Sequence, residues 1–266
     1  MGYATEVIPV LTDIEAEVDE ILRSYFYSGN FNVRFKEDQT PVTTADAHAQ
    51  RVIITRLKQA FPKIPVVGEE RAEAINRRVK SGYYFIIDPL DGTMNFTMRF
   101  PVFAVSIGLY RNNTPVAGAV SYPLVKETYT AVRGRGAYYN GTLITSMHPH
   151  RAIDLQDATV SGFIKSLDPG TQRKVMDGII MRSRHHRSIG AAALELCWQA
   201  IGRVDCMISA HLKMWDMAAG ALVLEEAGGR WSQFNGKTPV FPSLESYRIC
   251  SANTPELHRR ILDSLR

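Results

Sequence analysis

The stretch Ile86-Ile87-Asp88-Pro89-Leu90-Asp91-Gly92-Thr93 decides how this chain is read. The apolar run over residues 83–87 predicts a strand, and it ends in two aspartates three positions apart. Pro89 stiffens the turn between them. Gly92 and Thr93 follow, where a helix or tight turn begins, and glycine there permits close approach of a ligand. Carboxylates beside backbone N–H groups suit one task well, the holding of divalent cations next to a phosphate. Hard cations such as Mg²⁺ take oxygen ligands and share them with substrate phosphates, and N–H groups at a helix start bind anions.

Two further carboxylate sites fit the same reading. Gly68-Glu69-Glu70 closes the short apolar run at residues 64–67, and Trp215-Asp216 opens a helical pattern over residues 217–227. Taken one at a time, Asp91 and Asp216 read equally well as N-caps of the helices after them, and Glu69 as a surface residue. Asp46, in Pro41-Val42-Thr43-Thr44-Ala45-Asp46, reads as part of a helix N-cap. Charged groups at the ends of apolar segments are costly to bury unless paired with a cation, so the metal and the cap readings both stand for these residues at this point.

Composition bounds the rest. The 266 residues suffice for one large domain or two modest ones. A hydrophobic content of 45% with 22% charged residues matches ordinary globular proteins. Cys197, Cys206 and Cys250 are odd in number and show no CxxC spacing, which argues against a disulfide framework and a structural zinc site. The first ten residues lack a basic region followed by a long apolar stretch, and no run approaches the ~20 apolar residues that span a bilayer. A cytoplasmic protein without a membrane partner is expected. The net charge of +4 is spread along the chain; its densest cluster, Arg182-Ser183-Arg184-His185-His186-Arg187, reads as a solvated loop, with Arg187 a candidate for attracting an anionic substrate. No basic stripe interleaved with aromatics is present, so nucleic acid is not an expected partner. There is no Gly-x-x-x-x-Gly-Lys-[Ser/Thr] phosphate loop, and Arg133-Gly134-Arg135-Gly136 does not qualify as a dinucleotide fingerprint.

Thr12-Asp13-Ile14-Glu15 reads as a capping box opening a first helix that runs to about Tyr27. Residues 31–40 read as a loop or hairpin. Thr43-Thr44-Ala45-Asp46 caps a second helix that Pro62 stops. Strands follow at 64–67, 83–87, 103–110, 116–122, 127–133 and 137–140, the last ending in the turn Asn140-Gly141. Consecutive strands with short turns predict an antiparallel sheet with two helices on it, an α+β first half. After about residue 145 strands (159–161, 204–208, 230–234, 247–251) and a strand or turn at 187–189 alternate with helices (171–176, 191–201, 217–227, 255–265), as in an α/β unit. The expected division is 1–145, carrying the antiparallel sheet and most metal ligands, and 146–266, carrying a substrate loop and Asp216.

Across nearly its whole length the chain resembles the inositol monophosphatase family of Mg²⁺-dependent, Li⁺-sensitive phosphatases. The resemblance rests on Gly68-Glu69-Glu70, then Asp88-Pro89-Leu90-Asp91-Gly92-Thr93, then Trp215-Asp216-Met217-Ala218-Ala219-Gly220 and Glu226-Ala227-Gly228-Gly229. It implies a layered α/β/α/β/α sandwich of the inositol monophosphatase and fructose-1,6-bisphosphatase type, a homodimer, and two or three Mg²⁺ ions. In that pattern Asp88 bridges two ions. Glu69 and the Leu90 carbonyl complete one site, and Asp91 and Asp216 the other. Glu69 and Thr93 are the catalytic pair that orients the attacking water. Glu70 and Asp46 support a further ion, and Gly92 and Thr93 offer N–H groups to the phosphate.

The same resemblance assigns the substrate to Ser188, Gly190, Ala191, Ser209 and His211. Ala191 lacks the hydroxyl usual in the family, and Ser209 stands where animal relatives carry a glutamate that contacts ring hydroxyls. The implied reaction is hydrolysis of a small phosphate monoester, inositol 1-phosphate first. Alternatives are a 3′(2′),5′-bisphosphate nucleotide, fructose 1,6-bisphosphate or NADP, and histidinol phosphate. His211 and Lys213 read either as an exposed rim or as contacts to a second phosphate or nucleotide. A regulatory role is the non-enzymatic alternative, since some bacterial relatives bind transcription machinery.

Overall fold

Helix α1 (Tyr3–Ser28) lays Val7, Leu11, Ile14, Val18 and Leu22 against a sheet, spaced three or four apart as an amphipathic helix requires. The computed structural model describes residues 3–36, 39–69, 82–147 and 150–266. Glu70 and the connection 71–81 lie outside them. The helix begins well before the capping box expected at Thr12. The apolar period continues upstream to Val7, and the Thr12 hydroxyl instead bonds back to the Ile8 and Pro9 carbonyls at 3.2 and 3.0 Å, the alternative open to a threonine inside a helix.

A short antiparallel hairpin, β1 (Val33–Phe35) with β2 (Pro41–Thr43), leads into α2 (Thr44–Ala60). Thr43 caps it as the sequence predicts. Its hydroxyl accepts from the Ala45 and Asp46 amides, while Asp46 reaches back to the Thr43 amide. A seven-stranded sheet follows in sequence order: β3 (Val66–Gly68), β4 (Tyr83–Asp91), β5 (Ala104–Arg111), β6 (Thr114–Tyr122), β7 (Glu127–Val132), β8 (Ala137–Tyr139) and β9 (Thr142–Leu143). All pairs are antiparallel except β3 with β4. The short helix α3 (Thr93–Thr97) continues directly from β4.

The second sheet holds β10 (Thr159–Phe163), β11 (His185–Arg187), β12 (Cys206–Leu212), β13 (Arg230–Gln233) and β14 (Tyr247–Ala252) in the order β11-β10-β12-β14-β13. Helices α4 (Pro169–Gly178), α5 (Ala192–Ala200), α6 (Met214–Met217), α7 (Gly220–Glu226) and α8 (Pro255–Leu265) alternate with these strands. The strand or turn expected at 187–189 is a strand lying two residues earlier. The single helix expected over 217–227 is divided between α6 and α7 at Ala218-Ala219. There the backbone presses onto the first sheet: a Cβ on Gly108 would stand 3.0 Å from the Ala218 carbonyl, and one on Gly118 would stand 3.0 Å from the Ala219 Cα.

Four apolar clusters define the layers. α1 and α2 cover the outer face of the first sheet, where Phe85, Ile87, Val105 and Ile107 meet them. The opposite face, with Tyr84, Ile86 and Tyr110, packs on α5, α6 and α7, which in turn meet Met207 and Ile249 of the second sheet. α4 and α8 close the far side with Val175, Leu257 and Ile261 on Val160, Ile208 and Cys250. The order is α/β/α/β/α, and the end of β4 meets the start of α5 in its middle.

Candidate metal and phosphate centre

A strand turns residues three apart to opposite faces, so Asp88 and Asp91 converge only if the strand is broken. It is. Asp88 pairs with Ser106 and Asp91 with Ala104, so two residues on β4 oppose one on β5 between them. This bulge, which contains Pro89, re-aims both side chains toward one side. Asp216, on the first turn of α6, joins them. Carboxylate oxygens of Asp88, Asp91 and Asp216 all lie within 4.8 Å of one another.

Each carboxylate is also held by backbone. Asp88 accepts from the Leu90 amide at 3.0 Å. Asp216 accepts from the Lys213 amide at 2.8 Å. Asp91 accepts from Ala192 and Ala193 at 3.0 and 2.8 Å. It caps α5, a helix of the other sheet, rather than the α3 that follows it. The residue opening α3 is Gly92, in the left-handed region at φ 91° and without a side-chain cap. A Cβ there would meet the Val102 and Gly190 carbonyls at 3.1 and 3.2 Å, so only glycine fits.

Glu69, just after β3, is partly buried, and Lys36 of the β1–β2 hairpin donates to it at 2.6 Å. The Thr93 hydroxyl lies 3.0 Å from both Asp46 Oδ1 and the Leu90 carbonyl. Asp46 Oδ2 accepts from the Thr43 amide at 2.8 Å and its hydroxyl at 2.5 Å. The cap of α2 therefore fixes Thr93.

Burial is the largest cause that pushes the Asp88 carboxyl well above the usual range, followed by the charges of Glu69, Asp91 and Asp216. Burial and then Asp216 raise Asp91 likewise. Asp216 is pushed up to about 6, again mainly by burial, with Lys213 pulling the other way. Acidic groups that repel one another in a buried place, with one oxygen of Asp88 and one of Asp216 outside these backbone bonds, fit a hard divalent cation. The residues present fit Mg²⁺.

Of the expected substrate residues, Gly190 and Ala191 abut Gly92. Asn95 ties the two sides together, donating to the Val102 and Ile189 carbonyls at 2.8 Å each. Ser209 is buried on the β12 face it shares with Met207, toward the middle layer. Ser188 lines a separate cavity of about 380 Å³ with Phe100, Arg187, Trp198 and Arg203. His211 and Lys213 are both anchored to the segment before β14: His211 Nε2 lies 2.9 Å from the Ser246 hydroxyl, and the Lys213 ammonium donates to the Leu244 carbonyl at 2.9 Å.

Two residues escaped the sequence reading. Lys36 lies in a polar stretch with no distinguishing pattern. Glu195 carried a signal, a lone acid within the apolar helix α5. It accepts from the Gly190 amide at 3.1 Å, and burial pushes its carboxyl up to about 7.

Comparison with known proteins agrees with this geometry. The model of the inositol monophosphatase family matches residues 4–266. Inositol monophosphatase 2 of Solanum lycopersicum is 36% identical over 230 residues, covering 84% of this chain and 86% of the relative. The Nus factor SuhB of Vibrio cholerae is 38% identical over 231 residues, covering 85% of this chain and 82% of the relative. The crystal structure of the extragenic suppressor protein suhB of Bartonella henselae superposes with a TM-score of 0.84 at 29% identity, covering 98% of both chains.

Proposed function

The chain belongs to the inositol monophosphatase family and is a phosphatase, and from that premise we propose that it hydrolyses a small phosphorylated metabolite, inositol 1-phosphate foremost, in a Mg²⁺-dependent reaction. The observation that carries this is the convergence of Asp88, Asp91 and Asp216 oxygens within 4.8 Å, beside Glu69 and the Gly92–Thr93 turn. When bound, two or three Mg²⁺ ions supply charge neutralisation for the phosphate and acidify water.

The protein's own groups do the rest. Asp88 holds the centre, with Glu69 and the Leu90 carbonyl on one side and Asp91 and Asp216 on the other. The Gly92 and Thr93 amides receive the phosphate oxygens. Thr93, its proton directed to Asp46 and Leu90, keeps lone pairs to orient the attacking water, and Glu69 takes that water's proton. Lys36 neutralises Glu69 and restrains it. Gly190 and Ala191, beside Gly92, form the wall against the alcohol part of the substrate, with Ser209 behind it. Glu70 lies outside the described residues, so its role rests on resemblance alone.

A Mg²⁺-dependent phosphate-release panel tests the reading. It contains inositol 1-phosphate, fructose 1,6-bisphosphate, 3′-phosphoadenosine 5′-phosphate, NADP and histidinol phosphate. Release from inositol 1-phosphate above the others supports the proposal, and dominance of another ester moves the assignment to that substrate. Release undiminished by a chelator would contradict it. The similarity to a relative named Nus factor SuhB supports a second reading, a binding role with the transcription machinery. Capture of such a complex by a protein lacking the Asp88 carboxylate would separate that role from hydrolysis.

A further inference from the structure

Helix α5 lies almost wholly in the core, and Glu195 is the one acidic side chain in it. It is 3% exposed. Its Oε1 accepts from the Gly190 amide at 3.1 Å, while Oε2 makes no hydrogen bond of good geometry. The Ala191 amide and the buried Ser161 hydroxyl of β10 also face the carboxyl and work against the rise that burial imposes on it. Burying an acid with so few donors is costly, and packing alone does not call for one here.

The ordinary duty of an acid early in a helix is to cap it. Glu195 does something else. The N-cap of α5 is Ala191, and the first helical amides, Ala192 and Ala193, are taken by Asp91. Gly190 precedes the cap, so the Glu195 bond holds the segment before the helix rather than the helix itself. That segment faces the phosphate turn. Gly190 stands in the left-handed region at φ 79°, and its carbonyl lies 3.2 Å from where a Cβ on Gly92 would be. From α3, Asn95 donates to the Ile189 carbonyl at 2.8 Å and to the Gly190 carbonyl at 3.4 Å. The turn is therefore held by its carbonyls from the first half of the chain and by its N–H from Glu195. Without the second anchor, a glycine has wide conformational choice.

We propose that Glu195 is a positioning residue for the alcohol part of the substrate: through the Gly190 amide it fixes how the Gly190–Ala191 wall stands over Gly92, and so sets KM and the choice among phosphate esters. This rests on the reading of that wall as the one facing the alcohol. Ala191 brings no hydroxyl of its own, so the placement of the backbone carries more of the recognition. Glu195 is not a ligand of the metal centre, although its charge is felt at Asp91.

Two variants separate the acceptor oxygen from the charge. Glu195→Gln and Glu195→Met both remove the charge near Asp91 and keep similar length, but only Gln keeps an oxygen for the Gly190 N–H. At saturating Mg²⁺, KM for inositol 1-phosphate should be about fivefold higher in Glu195→Met than in Glu195→Gln, the equivalent of one lost hydrogen bond, with kcat alike. For p-nitrophenyl phosphate, whose alcohol carries no further hydroxyl, the two variants should share one KM. Equal KM values for inositol 1-phosphate, or the same shift for both esters, would overturn the proposal. A wild-type protein that prefers another ester of the panel corrects the substrate assignment instead, and the comparison is then made with that ester. Hydrogen exchange gives a readout without turnover. The Gly190 amide should be protected in wild type and Glu195→Gln and lose protection in Glu195→Met. A wild-type Gly190 amide that exchanges as fast as an open chain would overturn the proposal, even should Glu195→Met not fold.

Discussion

Asp88 is the residue on which the most terms converge, since three other carboxylates raise its own proton affinity. Asp88→Asn should lower turnover at saturating Mg²⁺ by at least ~10²–10³, the common cost of one electrostatic group. The metal-free melting temperature should hold or rise, because repulsion among the acids is relieved. Near-wild-type turnover would remove Asp88 from the proposed centre. Glu195 makes a prediction in pH. Its folded-state value of about 7 stands above the ordinary 4.5, so the folded chain binds a proton that the unfolded chain releases. The stability this proton confers is complete below about pH 4.5 and is lost as pH rises through 7. The full swing is about 3 kcal/mol. Urea midpoints in chelator should therefore fall between about pH 4.5 and 7 in wild type, and fall less in Glu195→Gln. Parallel slopes would show that Glu195 does not carry this dependence.

Elements join these residues into a working arrangement. The N-terminus of α2 is the clearest case, because its cap holds Asp46 and Asp46 holds Thr93. Thr43→Ala should cost about 1 kcal/mol of stability, as cap removal does, and should also lower kcat with little change in KM. Thr43→Ser should restore both. A stability loss with unchanged kcat would confine Thr43 to the cap. This cap was legible in the sequence because every partner lies within three residues. So were α8, the tight turn at Gly92 and the apolar part of β4, each set by local pattern, whereas the continuation of β4 to Asp91 was not. The start of α1 was not, because Thr-x-x-Glu also suits a threonine bonding back within a helix. Nor was the break between α6 and α7, which depends on Gly108 and Gly118 from distant strands. The four carboxylates could be named from the chain, yet the Asp91 bond to α5 and the Lys36 bond to Glu69 needed the fold, since they join residues remote in sequence.

At the scale of the whole molecule, the centre is assembled where the first sheet meets the middle helix layer, with Asp91 reaching the first turn of α5 and Asn95 the segment before it. The same edge carries an apolar surface. Met98 is 71% exposed and Phe100 49%, on the turn between α3 and β5. Phe100 also lines the cavity shared with Ser188, Arg187 and Trp198. Large exposed apolar side chains at this turn make it a candidate interface. We propose a second copy of the chain as the occupant, as the family resemblance implies. The expected species is a homodimer of about twice the 29.8 kDa chain mass, measured by light scattering at micromolar concentration. Met98→Glu combined with Phe100→Glu should convert it to a monomer, since two buried carboxylates at the centre of such a contact have no partner. The Asp88 cluster lies outside these substitutions, so the monomer should keep its metal-dependent melting shift. Its turnover then shows what the partner contributes, since Arg187, Ser188 and Ile189 line the same cavity as Phe100. A wild-type chain that scatters as a monomer would remove the interface, and the exposed turn would need another occupant.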